Sequence, residues 1–442
     1  MIRQAALLLL SVIPASGADK LLPKELVDLA LKSPGQAQLR DALIATAPPA
    51  DLKGGTAAFS DRGYVVFAVE AASAPALFID DQPGPAMSRF AGSQLWFAQA
   101  PVTPGTGHSF FYKIDGKRFG GSNNVPSFGP DSYLKPGVPK GTLSQKSVLT
   151  SKVYDGMQSD YWVYTPAQYN PKTPAALMVW NDGQQYINRE SASIKFLDVV
   201  DNLTYEKKLP VTVYVFTMPG VATMPEGTPF YQAVQRVAKT DTQAARTVAL
   251  RGVEYETLSD QYARFLREEL LPSVEKDYNI RKDAYSHAIA GLSSGALGAF
   301  TAAWEQPDLF SRVLVWVTPF TGGQWQPGVR DGGNIYPFRI RKEPRKNLRI
   351  WLQDGADDIE NANGSVPLQN IAVANSFKLM DYDFHLSFGV GGHSPMQGSS
   401  ELPESMAWLW RGYDPVRTQD IYAPDPHEKA LPVFRIHIFN RE

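Results

Sequence analysis

Residues 286–295 read Ser286-His287-Ala288-Ile289-Ala290-Gly291-Leu292-Ser293-Ser294-Gly295, and the fold turns on this stretch. An apolar run of strand character ends at Ala290, and a helix-forming run, Ser294–Trp304, begins four residues later. Between them two glycines bracket a serine in the pattern Gly-x-Ser-x-Gly. So sharp a strand-to-helix turn needs glycine at both positions, because any side chain there would collide with neighbouring backbone. The turn lifts the Ser293 hydroxyl above the strand end, at the positive end of a helix, where the next N–H can face an oxyanion. The flanking elements matter more than the pentapeptide, which could also be a Gly/Ser-rich helix entry without chemistry.

Working outward from this turn, strand and helix alternate after residue 148. Candidate strands are Tyr161–Tyr164, Ala176–Asn181, Val211–Thr217, Ser286–Ala290, Val313–Val317, Arg349–Gln353 and Phe384–Val390. Most are near-continuous apolar runs, as expected of strands covered on both faces. Helical stretches lie between them: Ser259–Tyr278 with Ser259 as N-cap and a kink at Pro272, then Val366–Met380 and Glu404–Trp410. The reading is an α/β domain with a mostly parallel sheet.

Upstream the pattern differs. Leu26, Leu29, Ala30, Leu39 and Leu43 sit at helical spacing, interrupted at Ser33-Pro34-Gly35, and predict a short helical pair packed on something else. From about Thr56 to Lys146, short runs such as Tyr64–Val69 and Ser109–Ile114 are separated by turn residues. The second run ends at the hairpin signal Asp115-Gly116, and together they predict a small β-sandwich. Lys135–Gly141 reads as a linker. Residues 1–17, with Arg3, an apolar run from Ala5 to Ile13 and Ala15-Ser16-Gly17, read as a signal peptide, too short to span a bilayer. The expected organisation is therefore a signal peptide (1–17), a helical segment (18–50), a β-sandwich (51–147), an α/β catalytic domain (148–415) and a tail (416–442). In the tail, Val433–Phe439 could return a strand. The expected location is secreted or periplasmic, with no membrane span.

Composition narrows the chemistry. The 442 residues include no Cys and six His, so thiolate nucleophiles, disulfides and sulfur-ligated metal sites are excluded. A net charge of −2 gives no general reason to bind nucleic acid. Hydroxyls, carboxylates and backbone dipoles must do the work, and no cofactor or metal is expected.

A serine nucleophile needs a base, and on this type of turn the chain order is Ser, acid, His. Four His follow Ser293. His385 lies inside a strand, and His427 and His437 lie in the tail. His393, in Gly391-Gly392-His393-Ser394, follows the last strand at a carboxyl end where catalytic residues of open sheets collect. The acid should follow the preceding strand, in Asp354-Gly355-Ala356-Asp357-Asp358-Ile359-Glu360. Asp358 is the choice and Asp357 the runner-up, while a solvated loop or weak calcium site is the bland reading. The N–H groups of Ser294 and of Gln184, in the loop after Ala176–Asn181, are the candidate oxyanion donors. Trp180, Tyr186 and Phe320 are candidate pocket aromatics, with hydrophobic core as the alternative.

Val179–Gln184, Arg251 with Glu254-Tyr255, Ser259–Tyr262, Glu268–Pro272, Ala290–Gly295, Ala303-Trp304 before Pro307, Leu352–Asp358, Gly391–Ser394 and Trp408–Trp410 together carry a resemblance. The chain resembles the enterochelin-esterase-like esterases of the esterase D branch of the α/β-hydrolases. That group includes feruloyl and acetyl-xylan esterases of carbohydrate esterase family one. The resemblance implies an α/β-hydrolase fold, Ser293 as nucleophile, His393 as base and Asp358 at the family's Gly-x-x-Asp acid. A preceding β-sandwich is similar to the enterochelin-esterase arrangement. The chain departs from the family at Gly295-Ala296, at Val317–Thr321 and at Gln397, where a second His is common. The implied activity is a serine esterase acting through an acyl-enzyme on acetyl or hydroxycinnamoyl esters of polysaccharide. A siderophore trilactone and an inactive carbohydrate-binding domain are the alternatives.

Overall fold

The computed structural model describes residues 20–225 and 245–432. The signal-peptide reading of 1–17 and the strand reading of Val433–Phe439 fall outside the described residues. The chain forms two compact units: residues 20–101 with 111–121, and residues 102–110 with 122–432.

In the first unit, helices Pro23–Lys32, Ala37–Thr46 and Pro49–Gly54 place Leu26, Ala30, Leu39 and Leu43 in one core with Val66, Ala68 and Phe97. That core is what the helical pair packs on. Two small sheets follow, one built around Tyr64–Glu70 with Leu95–Pro101 and one carrying Ala76–Ile79. Asp115 and Gly116, both at positive φ, make the two-residue turn.

The unit boundary differs from the composition-based one. Residues 122–147 belong with the second unit, and the stretch read as a linker is pinned there. Asn202 accepts the Lys135 N–H at 3.0 Å and donates to the Asp131 and Tyr133 carbonyls, while the Gly141 N–H donates to Tyr164 Oη at 2.8 Å. Proline and glycine there set turns rather than slack.

The second unit is built on an eleven-stranded sheet. Six strands run parallel, in the order Thr212–Thr217, Ala176–Asn181, His287–Leu292, Arg312–Trp316, Arg349–Gly355 and Asp383–Gly389. The antiparallel strand Gln158–Thr165 extends it beside Thr212–Thr217. The period of two along each strand feeds two cores. Leu177, Val179, Ile289, Val313 and Leu352 point to one face, and Met178, Trp180, Ala290, Leu314 and Trp316 to the other. Helices Ser294–Glu305 and Val366–Leu379 carry residues of the first core and Phe196–Tyr205 and Leu402–Leu409 of the second.

The expected helix Ser259–Tyr278 is three pieces: Gln261–Phe265, a π-turn Leu266–Leu270 and Leu271–Val274, with Asp260 as N-cap. Pro272 has no N–H to donate and its ring crowds the carbonyl four residues back. The chain answers by widening the preceding turn rather than by a simple kink.

Strand order reverses between Ala176–Asn181 and His287–Leu292. One crossover leaves this pair toward Thr212–Thr217 and the others run the opposite way, so a crevice opens at the carboxyl ends of the two strands.

Candidate active site

Ser293 stands at that crevice with φ +57° and ψ −131°, a backbone conformation that costs a non-glycine residue about 1–3 kcal/mol. Its neighbours show why the turn needs glycine. A Cβ at Gly291 would lie 2.4 Å from the Gly295 carbonyl, and one at Gly295 would lie 2.6 Å from Asp182 Oδ2. Hydrogen bonds with the two neighbouring strands hold the strained turn. Ser293 N–H donates to the Trp316 carbonyl at 3.0 Å, and Asn181 Nδ2 donates to the Gly295 carbonyl at 2.8 Å. Tyr262 Oη in turn donates to Asn181 Oδ1 at 2.6 Å.

The structure brings Ser293, His393 and Asp358 together. Ser293 Oγ lies 2.6 Å from His393 Nε2, and His393 Nδ1 lies 2.6 Å from Asp358 Oδ1. Asp358 is buried and accepts, so Nδ1 carries the proton and Nε2 is left to accept from the serine hydroxyl. Burial alone would raise the Asp358 carboxyl. Hydrogen bonds from His393, Asp354 and the Ile359 N–H outweigh it and leave Asp358 below the usual carboxylate range. Asp357 points outward and accepts from Asn123 Nδ2 at 2.8 Å. His385 stays in its strand, stacked on Trp351 at 4.2 Å, with burial pushing it down to about 4.

Ser294 opens the helix Ser294–Glu305, so its N–H has no intrahelical partner. The Gln184 N–H is directed at Met218 Sδ, 3.4 Å away, a weak acceptor. The loop carrying Gln184 is fixed by Arg251, which grips Asp182 with two bonds, Nε–Oδ1 at 3.0 Å and Nη2–Oδ2 at 2.6 Å.

The proposed pocket aromatics are elsewhere. Trp180, Tyr186 and Phe320 are fully buried and line no part of the cleft at Ser293. Trp180 packs on Tyr186, Phe196 and Trp316 at 4.5, 4.9 and 5.5 Å, and Phe320 packs on Phe300 and Tyr336. The pleat turns Trp180 away from the elbow, into the core beside helix Phe196–Tyr205.

The cleft beside Ser293 and His393, of about 110 Å3, is walled instead by Glu256, Gln324, Thr321, Asn361 and Asn363 with Leu297 and Ile359. Glu256 accepts from Ser294 Oγ at 2.6 Å and from Gln324 Nε2 at 2.7 Å. Sequence reasoning missed Glu256, Arg251 as the clamp on Asp182, and Asn123 and Asn124. Asn124 Oδ1 accepts the Gly392 N–H at 2.9 Å, next to His393. Among the described residues no group of three or more His, Asp or Glu is placed to hold a metal, and no helix is long and apolar enough to cross a membrane.

Residues 156–395, more than half of the chain, match the family described as Putative esterase. The chain belongs to that family. This esterase is thus a carboxylic ester hydrolase. It is 20% identical over 255 residues to the uncharacterized protein YjcH of Bacillus subtilis, covering 56% of this chain and 90% of that one. It is also 27% identical over 106 residues to an endo-1,4-beta-xylanase/feruloyl esterase of Xylanibacter ruminicola. That match covers 24% of this chain and 12% of the relative. Superposed on the enterobactin esterase of Shigella flexneri, it gives a TM-score of 0.51 at 17% identity, over 81% of this chain and 97% of that one. At such identity the likeness speaks for a shared fold.

Proposed function

We propose that this esterase is an exported serine hydrolase that works through an acyl-enzyme. Its substrates on this reading are acetyl or hydroxycinnamoyl esters carried by a polyhydroxylated alcohol such as a polysaccharide. The observation that carries the reading is the relay from Ser293 Oγ through His393 to buried Asp358, two bonds of 2.6 Å at the carboxyl ends of three strands. Ser293 attacks the ester carbonyl as His393 Nε2 takes its proton, and Asp358 stabilises the imidazolium. The Ser294 N–H and the Gln184 N–H receive the oxyanion, the latter leaving the soft Met218 sulfur for a charged oxygen. His393 returns its proton to the leaving alcohol, and water then releases the acyl group by the same steps in reverse.

The cleft favours this substrate class over an anionic one. Gln324, Thr321, Asn361 and Asn363 offer neutral hydrogen-bonding groups to hydroxyls, while the Glu256 carboxylate sets a negative charge against a catecholate or carboxylate arm. Export rests on the sequence pattern of residues 1–17.

The test is turnover of a panel of aryl and sugar esters (acetyl, butyryl, feruloyl, catecholate) by the full chain and by Ser293→Ala. Loss of about 10⁴-fold or more in kcat is expected in the variant. Equal rates in the two proteins, or no turnover of any ester, would sink the reading.

A further inference from the structure

Four residues before Asp358, near the end of the strand Arg349–Gly355 that leads to it, lies a second carboxyl that the reaction as described does not use. Asp354 is fully buried. Its Oδ1 accepts the Gly355 N–H at 2.8 Å, and its Oδ2 has no partner that the described residues supply as donor. Asp358 shows the same asymmetry. Oδ1 takes the His393 Nδ1–H and the Ile359 N–H, while buried Oδ2 has no donor among the other described residues.

The two side chains are in hydrogen-bonding contact with each other. Ionised carboxylates only accept, so such a contact requires a hydrogen between the oxygens. Asn370, whose amide also reaches Asp354, cannot supply it to Asp358. Both its N–H bonds are spent, on the Thr318 carbonyl at 2.8 Å and the Val366 carbonyl at 3.0 Å.

We propose that Asp354 is a positioning residue of the catalytic relay: a carboxylic acid whose Oδ2–H donates to Asp358 Oδ2. Asp358 is then held on both oxygens, and the oxygen that faces His393 cannot rotate away. Two buried carboxylates in contact cannot both ionise, so the pair carries one proton. The proton resides on Asp354 because Asp358 has the imidazole and the Ile359 N–H to stabilise its charge. Burial, then the hydrogen bond and charge of Asp358, push Asp354 up to about 9.

The titratable groups facing Asp354 are Asp358 and, one bond further, His393, while Asn370 and the Gly355 backbone are neutral. As pH rises through about 9 the proton leaves, Asp358 loses its donor and gains a repelling neighbour, and the hold on His393 loosens. The effect on rate rests on the serine-esterase reading above.

The experiment measures kcat and KM for an aryl acetate from neutral to alkaline pH, alongside the infrared spectrum at neutral pH. In the wild type kcat falls above an apparent pKa near 9 while KM changes little. Asp354→Asn, which keeps an N–H donor that cannot titrate, holds kcat within about threefold at neutral pH and loses the alkaline limb. Asp354→Ala, folded by thermal melt, loses about tenfold or more in kcat. In Ser293→Ala the carbonyl bands of protonated carboxyls include one that adding Asp354→Asn removes, while those of the other buried acids, Glu254 and Glu401, stay. An unmoved alkaline limb in Asp354→Asn, or no band lost on that substitution, overturns the proposal. A band lost on Asp354→Asn without ester turnover in the wild type supports the shared proton and overturns the serine-esterase reading alone.

Discussion

At the elbow, five consecutive residues carry the geometry; at the opposite corner of the site, Asp358 and His393 are held by residues far away in the chain. Gly291 and Gly295 leave no room for another backbone path, and Ser293 sits in a strained conformation because nothing else fits. The acid–base corner has one such contact, between its own two loops, where a Cβ at Gly355 would lie 2.1 Å from the Gly391 carbonyl oxygen. Its two loops hang from hydrogen bonds: Asn123 to Asp357, Asn124 to Gly392, Asp358 to His393, with sequence separations of 234, 268 and 35 residues. Crowding at the elbow therefore couples it to folding, while bonding at the corner couples it to rate and to pH.

Changes at the two places should separate accordingly. The largest effect is expected from Gly291→Ala, where the added Cβ meets backbone at 2.4 Å that cannot yield. It should lower stability by about 3 kcal/mol, read as a fall in Tm, and an unchanged Tm would break the steric account of the elbow. Asn124→Ala should spare stability to within about 1 kcal/mol, yet lower kcat about tenfold with KM little altered, because the Gly392 N–H beside His393 loses its acceptor. A variant whose kcat matches the wild type would show that the His393 loop needs no tether.

The smallest effect belongs to the cleft that both regions face. Glu256→Gln should raise kcat/KM for an anionic aryl ester, such as a hemisuccinate, about fivefold relative to the acetate, as a screened charge at half-buried range predicts. A preference that stays constant would remove Glu256 from substrate selection.

Legibility in the sequence follows the same division. The α/β class, the strands and the elbow were readable because each depends on local period or on backbone sterics. Ala176–Asn181 kept both its expected ends while other strand ends shifted by up to three residues, and the helix at 259–278 was mis-shaped because a proline's effect is felt one turn upstream. Asp358 and Asp357 were inseparable as letters; the turn after Gly355 buries one and exposes the other. Trp180, Tyr186 and Phe320 were close to the site in number but not in space, since which face of a strand meets which layer depends on the neighbouring strands. Glu256, at the end of helix Arg251–Glu256, and Asn123 and Asn124, inside strand Lys117–Ser127, carried no signal, because their partners are chosen by long-range pairing.

What the sequence by itself determined is the class of chain: a parallel sheet with a serine on a glycine-bounded turn, a single well-placed histidine, and no cysteine to offer another chemistry. Which carboxylate turns inward, what walls the cleft, and that Asp354 and Asp358 share one buried space came from the folded chain alone. Local sterics and periodicity are written in consecutive residues. Burial, and with it the position of a proton, exists only once distant strands have closed around the group.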